Sequence, residues 1–260
     1  AVSSEVLEEQ QLNDTNDELI ESDNSTNNNN QIVSIVKSES IFDLDEIIIS
    51  KHLDSIKNIK SKILHREFIK ILSNPNLENL NINNRKFYYI IKKLYDIGEI
   101  GIAYNLIKTI NLNNITNPED LKYFYSIELN YLFSTFKLVE VCELKSSLLE
   151  KSIDLPKYLL EKTDIFCLTL ENKFAEAKLL NSLLKDSEKS IDNTFQNLFD
   201  FMISENTQDV NFALIDIMKS KELIFLYSAM LRINELPLKE DFINIDPLNL
   251  AIPVILSDST

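Results

Sequence analysis

Two glycines in 260 residues is the feature that most narrows what this chain can become. Globular chains carry about 7% glycine, and sheets and phosphate-binding loops use it for bulges, tight hairpins and close backbone approach. With so little of it there can be few tight hairpins and no glycine-rich cradle. The stretch "GEIG" (98–101) has no strand signal before it and no further glycine after it, so a dinucleotide loop is rejected. No G-x-S-x-G, Walker loop or H-E-x-x-H occurs.

The period of the apolar residues then sets the class. Residues 43–57 and 59–72 read as helices, the second stopped by "SNPN". "NRKFYYIIKKLYDIG" places Phe87, Ile90, Ile91 and Leu94 on one face and ends at Gly98. "EIGIAYNLIKTI" continues as a short helix. In "NPEDLKYFYSIELNYLFSTF", Asn117 is an N-cap, Pro118 takes the first helical position and acids fill the first turn. Helices follow over 137–152, 155–173, 174–186, 191–203, 210–219 and 220–232, and the proline-bearing C-terminus reads as short turns and loops.

Spacing organises these helices. Gly98, Ile100 and Ala103 fall on Asn172, Phe174 and Ala177 under a shift of 74 residues, with Phe136 halfway and Val139 at the position of the two alanines. Helical hairpins recurring every 36–38 residues are expected to stack, because one hairpin cannot cover its own apolar face. The fold expected is all-α: antiparallel hairpins stacked as a short tetratricopeptide-like solenoid, or an irregular helical bundle of similar spacing.

"IFCLTLENKFAEAKLLNSLL" resembles a tetratricopeptide-type unit: a turn residue, an aromatic, then alanine, then a leucine ladder. With "TFQNLFDFMI", "LYSAMLRINELPL" and "PLNLAIPVIL" it is similar, over about 120–256, to a group of exported alphaproteobacterial helical-repeat proteins, although the chain has no Trp. The resemblance implies a scaffold in a bacterial envelope and no reaction. The Ala-Val start fits either removal of a secretory signal after a small residue or a trimmed N-terminus.

Two cysteines occur, Cys142 and Cys167, at nearby levels if their helices turn at 152–155. Two buried free thiols and a disulfide both fit that spacing, and the exported resemblance implies the bridge. Without a C-x-x-C, and with only His52 and His65, 13 residues apart, no metal site is expected. No cofactor is expected.

The charge is uneven. Residues 1–30 hold eight acids and no Lys or Arg, in a chain of net charge −15. Residues 1–35 read as a disordered acidic tail and 36–260 as one helical-repeat domain. An acidic surface repels phosphate backbones, so nucleic acid is not an expected partner. No run of 18 apolar residues offers a membrane span. The function expected is a non-enzymatic protein–protein scaffold of the cell envelope, periplasmic or otherwise exported rather than cytoplasmic. It binds a protein or peptide, a basic one being favoured by its acidic rims, on a concave helical surface with Tyr104, Tyr123 and Tyr131 as anchors. The alternatives are a structural subunit of a larger assembly, and a hydrolase of envelope polymers using carboxylates in a helical cleft.

Overall fold

The structure, a computed structural model, describes residues 44–57, 59–73, 85–188, 191–204 and 223–236. The acidic tail, the helix expected over 210–219 and the proline-bearing C-terminus lie outside the described residues. Within these residues the protein is all-α, with ten α-helices and no strand. They are α1 (Glu46–Ser55), α2 (Lys62–Ser73), α3 (Lys86–Asp96), α4 (Ile100–Lys108), α5 (Pro118–Ser134), α6 (Leu138–Glu150), α7 (Leu159–Leu170), α8 (Phe174–Ser187), α9 (Asn193–Ile203) and α10 (Ile224–Ile233). None of the described helices is long and apolar enough to cross a membrane.

Local signals place several starts. Asp45 caps α1 by accepting from the Ile47 N–H at 2.8 Å. Asn117 accepts from the Glu119 N–H at 3.0 Å, with Pro118 first in α5 and Glu119 and Asp120 in its first turn, as its sequence predicts. The helix expected over 155–173 starts late. Lys157 and Tyr158 take positive φ (58° and 54°), so a short 3-10 turn at Pro156–Tyr158 precedes α7.

Three hairpins, α3–α4, α5–α6 and α7–α8, share one turn of three residues. Its middle residue is left-handed: Gly98 (φ 94°), Phe136 (φ 56°) and Asn172 (φ 59°), spaced by 38 and 36 residues. In each, the third residue donates its N–H to a leucine carbonyl five residues back: Glu99 to Leu94, Lys137 to Leu132 and Lys173 to Leu168, all at 2.9 Å. That bond satisfies a carbonyl the helix end would leave orphaned. Five residues after each turn a side chain is fully buried: Ala103, Val141 and Ala177. Val139, aligned with the two alanines on spacing alone, is instead 71% exposed, while Val141 is 0% exposed. Counted from the turn residue, Ala103 and Ala177 each lie five positions on, and so does Val141, whereas Val139 lies three positions on and is out of register.

Each of these helices packs on the next, from α3 through α8, and α1 and α2 pack on α3. The first helices of successive hairpins also meet directly. Phe87 of α3 is edge-on to Phe124 of α5 at 5.8 Å, and Phe133 of α5 is edge-on to Phe166 of α7 at 5.7 Å. Helix α9 packs on α7, and a reciprocal amide pair joins it to α8: Asn181 Nδ2 donates to Gln196 Oε1 at 2.7 Å, and Gln196 Nε2 to Asn181 Oδ1 at 2.9 Å.

Helix α10 packs across both α5 and α9. Every residue from Ile224 to Leu231 is buried. A helix apolar all round belongs inside a core. Its six large aliphatic and aromatic side chains in that stretch are worth roughly 10 kcal/mol in gross burial, before chain entropy. Arg232 fixes its end, donating from Nη1 to the Ser134 carbonyl at 3.4 Å and lying 4.1 Å over the Phe136 ring.

Candidate partner-binding surface

Tyr88 and Tyr95 stand seven residues apart on α3, about two turns, and so share a face. Tyr123 of α5 is edge-on to both, at 5.2 Å and 6.3 Å between ring centroids. All three are half-buried. Arg85, just before α3, lies 4.9 Å over Tyr88 and 5.7 Å from Tyr89. Its Nη2 donates to Asp120 Oδ1 at 3.1 Å, while its buried Nε has no hydrogen-bond partner. Asn130 of α5 donates from Nδ2 to the Tyr95 hydroxyl at 3.1 Å, and its buried Oδ1 has no hydrogen-bond partner. The α3–α5 seam therefore presents three phenol rings and buries two polar atoms, Arg85 Nε and Asn130 Oδ1, beside them.

Burial sets the electrostatics of this seam. It pushes the Tyr88 and Tyr123 hydroxyls above the usual tyrosine range, so both stay neutral donors. Burial also raises the Asp120 carboxyl, against the opposing hydrogen bond from Arg85. In return the bond to Asp120 raises the Arg85 guanidinium further. The seam can hold a chain by ring packing and by hydrogen bonds to neutral hydroxyls.

Of the three expected anchors, only Tyr123 lies here. Tyr104 of α4 and Tyr131 of α5 stack face to face on each other, with centroids 4.0 Å apart and planes 16° apart. Their cationic neighbours are Lys108, 5.7 Å from the Tyr104 ring, and Lys137, 6.0 Å from that of Tyr131. The structure does not bring the three tyrosines together. Sequence reasoning missed Tyr88, Tyr95 and Arg85, although the seven-residue interval of the two tyrosines was visible within the α3 segment.

Cys142 of α6 and Cys167 of α7 are joined by a disulfide, with Cα atoms 5.7 Å apart. One turn away Lys145 Nζ meets Asp164 Oδ1 at 2.9 Å across the same two helices. Lys108 of α4 and Glu128 of α5 make the equivalent ion pair, at 2.5 Å, one hairpin earlier. A denser polar knot joins α7, α9 and α10. Lys162, 2% exposed, meets Glu188 Oε1 at 2.7 Å and Asp192 Oδ2 at 2.8 Å, and Asp192 also accepts from the Tyr227 hydroxyl. Asp192 Oδ1 caps α9 by accepting from the Phe195 N–H at 3.1 Å. With its charges paired and its oxygens used in capping, the knot reads as a structural joint between elements.

His52 is exposed and His65 half-exposed, and their positions match no shared site. Among the described residues no group of three or more His, Cys, Asp or Glu is placed to hold a metal ion. No protein-family model matches the chain, and no curated protein or solved structure is significantly similar to it.

Proposed function

We propose that the protein is a non-enzymatic interaction scaffold, a short tetratricopeptide-like stack of hairpins that holds a protein or peptide segment on its inner, first-helix face. Helix α10 lies across α5 and α9, and we place the partner on the α3–α5 seam, where the tyrosines cluster. The observation that carries this reading is the pairing of three half-buried tyrosines with two buried polar atoms, Asn130 Oδ1 and Arg85 Nε, that lack hydrogen-bond partners. The neutral hydroxyls of Tyr88 and Tyr123 can donate to a peptide backbone, and Asn130 holds the Tyr95 hydroxyl in place beside them. The disulfide supports an oxidising compartment, and the sequence resemblance is what suggests a bacterial envelope.

The test is affinity capture from the native organism with the full chain, with the proteins retained identified. Tyr88→Ser and Asn130→Leu should each lose the same partner, whereas Tyr104→Ser should keep it. Helix content is checked by circular dichroism, and retention of that partner by all three variants would discard the reading. A second reading, a structural subunit of a larger assembly, draws on the exposed Leu179 and Leu183, one turn apart on α8. Native-state mass measurement of the captured complex separates the two: a fixed stoichiometric assembly supports the subunit.

A further inference from the structure

We propose that α2 is an interfacial helix that lies on an anionic lipid surface. Its apolar residues are not hidden by the fold. Ile63 is 66% exposed, Leu64 64% and Ile71 54%, and Leu72 is the helix's one buried residue. Wound at 100° per residue, Leu64 and Ile71 fall together as the apolar edge, with Ile63 a quarter turn away and the exposed Glu67, tied to Arg66 and Lys70, between them. Lys62, Arg66 and Lys70 form an adjoining arc on the other side of Ile63. A helix with an apolar stripe beside a basic one lies in the plane of a membrane, with its long cationic side chains reaching the headgroups.

Charge argues for the anionic surface. The fourteen residues from Lys57 to Lys70 hold five Lys and Arg and a single acid, Glu67, in a chain where acids outnumber bases 41 to 26. Glu67 is bridged by Lys70 at 2.9 Å and by Arg66 at 3.3 Å. The net negative charge of the whole chain does not cancel this patch at contact, because screening limits surface interactions to about 8–10 Å at ordinary salt.

Geometry favours lipid over an acidic peptide. Among the described helices α2 packs chiefly on α3, with its outer side chains exposed. Helix-in-groove recognition needs two flanking walls. A lipid surface deforms around an exposed helix face and needs none.

The experiment is co-sedimentation of the full chain with vesicles of mixed phosphatidylglycerol and phosphatidylcholine, and with phosphatidylcholine alone. Binding is expected to the first and not to the second, and should weaken as salt rises. Leu64→Glu with Ile71→Glu, and separately Lys62→Glu with Arg66→Glu, should each lower vesicle affinity about tenfold or more. All four side chains are exposed, so the fold should survive, and unchanged thermal melting checks that. The proposal is overturned if the protein ignores anionic vesicles, if either double variant binds like the parent, or if it takes polyglutamate and not vesicles. It stands apart from the partner-binding reading, since Tyr88 and Asn130 variants should bind vesicles normally.

Discussion

Tyr104 stacks on Tyr131 at the place in the hairpin repeat where, one unit later, Cys142 is bonded to Cys167. Tyr104 and Cys142 each follow their left-handed turn residue by six positions, and Tyr131 and Cys167 each precede theirs by five. Each contact lies between the second helix of one hairpin and the first of the next. Each is accompanied by a lysine–carboxylate pair, Lys108–Glu128 or Lys145–Asp164. Two junctions at the same place in the repeat are thus closed by different chemistry, one by ring stacking and one by a covalent bond.

That equivalence is testable by exchange. In a Tyr104→Cys/Tyr131→Cys variant the two new thiols should stand close enough to bridge, as Cys142 and Cys167 do. Mild oxidation should remove two further thiols, read by mass after alkylation. A variant that keeps both thiols free would show that the junctions differ in backbone geometry.

The native bridge closes a loop of 25 residues. Loop entropy predicts that it stabilises the fold by about 3 kcal/mol. Urea unfolding in the presence of dithiothreitol should therefore fall short of the oxidised protein by that amount. Cys142→Ala should lose a similar amount whether or not reductant is present. An unchanged midpoint on reduction would mean that the α6–α7 junction is held by packing and the Lys145–Asp164 pair alone.

The shortage of glycine leaves residues with side chains in left-handed turns, where an L-residue is strained by about 1–2 kcal/mol. Ser152, at the end of α6, has φ 53° and is exposed. Ser152→Gly should raise unfolding free energy by about 0.5–1 kcal/mol, the unfolded-chain entropy of glycine offsetting part of the gain. Gly98, at φ 94°, is the converse case, and Gly98→Ala should cost about 1–2 kcal/mol. Chemical denaturation of the two variants checks the pair, and a destabilised Ser152→Gly would sink the strain argument.

The helix pairs and their turns were legible because apolar periodicity and turn position are local. Asn117 with Pro118 marked the start of α5, and Gly98, Phe136 and Asn172 marked the three turns. The register inside the second hairpin was legible from its turn residue, since Val141 follows Phe136 by five positions as Ala103 and Ala177 follow theirs, and aligning Val139 instead misplaced the buried side chain by two residues. Helix α10 was visible as a helix but not as the centre of the core: eight successive buried residues have no polar face from which to read an orientation. The tyrosine seam escaped for another reason. Tyr95 owes its placement partly to Asn130, 35 residues away on another helix, and Arg85 to Asp120 at the same separation. Lys162 likewise sits in a polar run, Glu161 to Asp164, that reads as a solvated face, and its partners Glu188 and Asp192, supplied by the α8–α9 link, explain its burial.

That buried lysine gives the largest expected single-site effect. Lys162→Met removes the cation between Glu188 and Asp192 and leaves two carboxylates without their counter-charge. Breaking a buried pair in this way costs about 3–5 kcal/mol. Neutralising the acids as well, with Glu188→Gln and Asp192→Asn, should recover part of the loss, since Asn still caps α9. Equilibrium unfolding of the single and triple variants makes the comparison. A single variant as stable as the parent would show the knot to be energetically idle.

Alkaline titration tests the tyrosine seam directly. Burial holds the Tyr123 hydroxyl above its ordinary value. Below about pH 10, the unfolded value, the group is protonated in both states and its contribution to stability is fully present. Above that pH the unfolded chain releases the proton while the folded protein retains it, so stability falls as pH rises, by up to about 1.4 kcal/mol per pH unit. Lys93 acts in the opposite sense, since burial lowers its ammonium and the folded state gives up that proton first. Tyr123→Phe isolates the tyrosine from this background. Between about pH 9 and 11 the parent should lose more stability than Tyr123→Phe, by about 1 kcal/mol at the top of the range. Parallel stability curves for the two proteins would place Tyr123 in solvent and remove it from the seam.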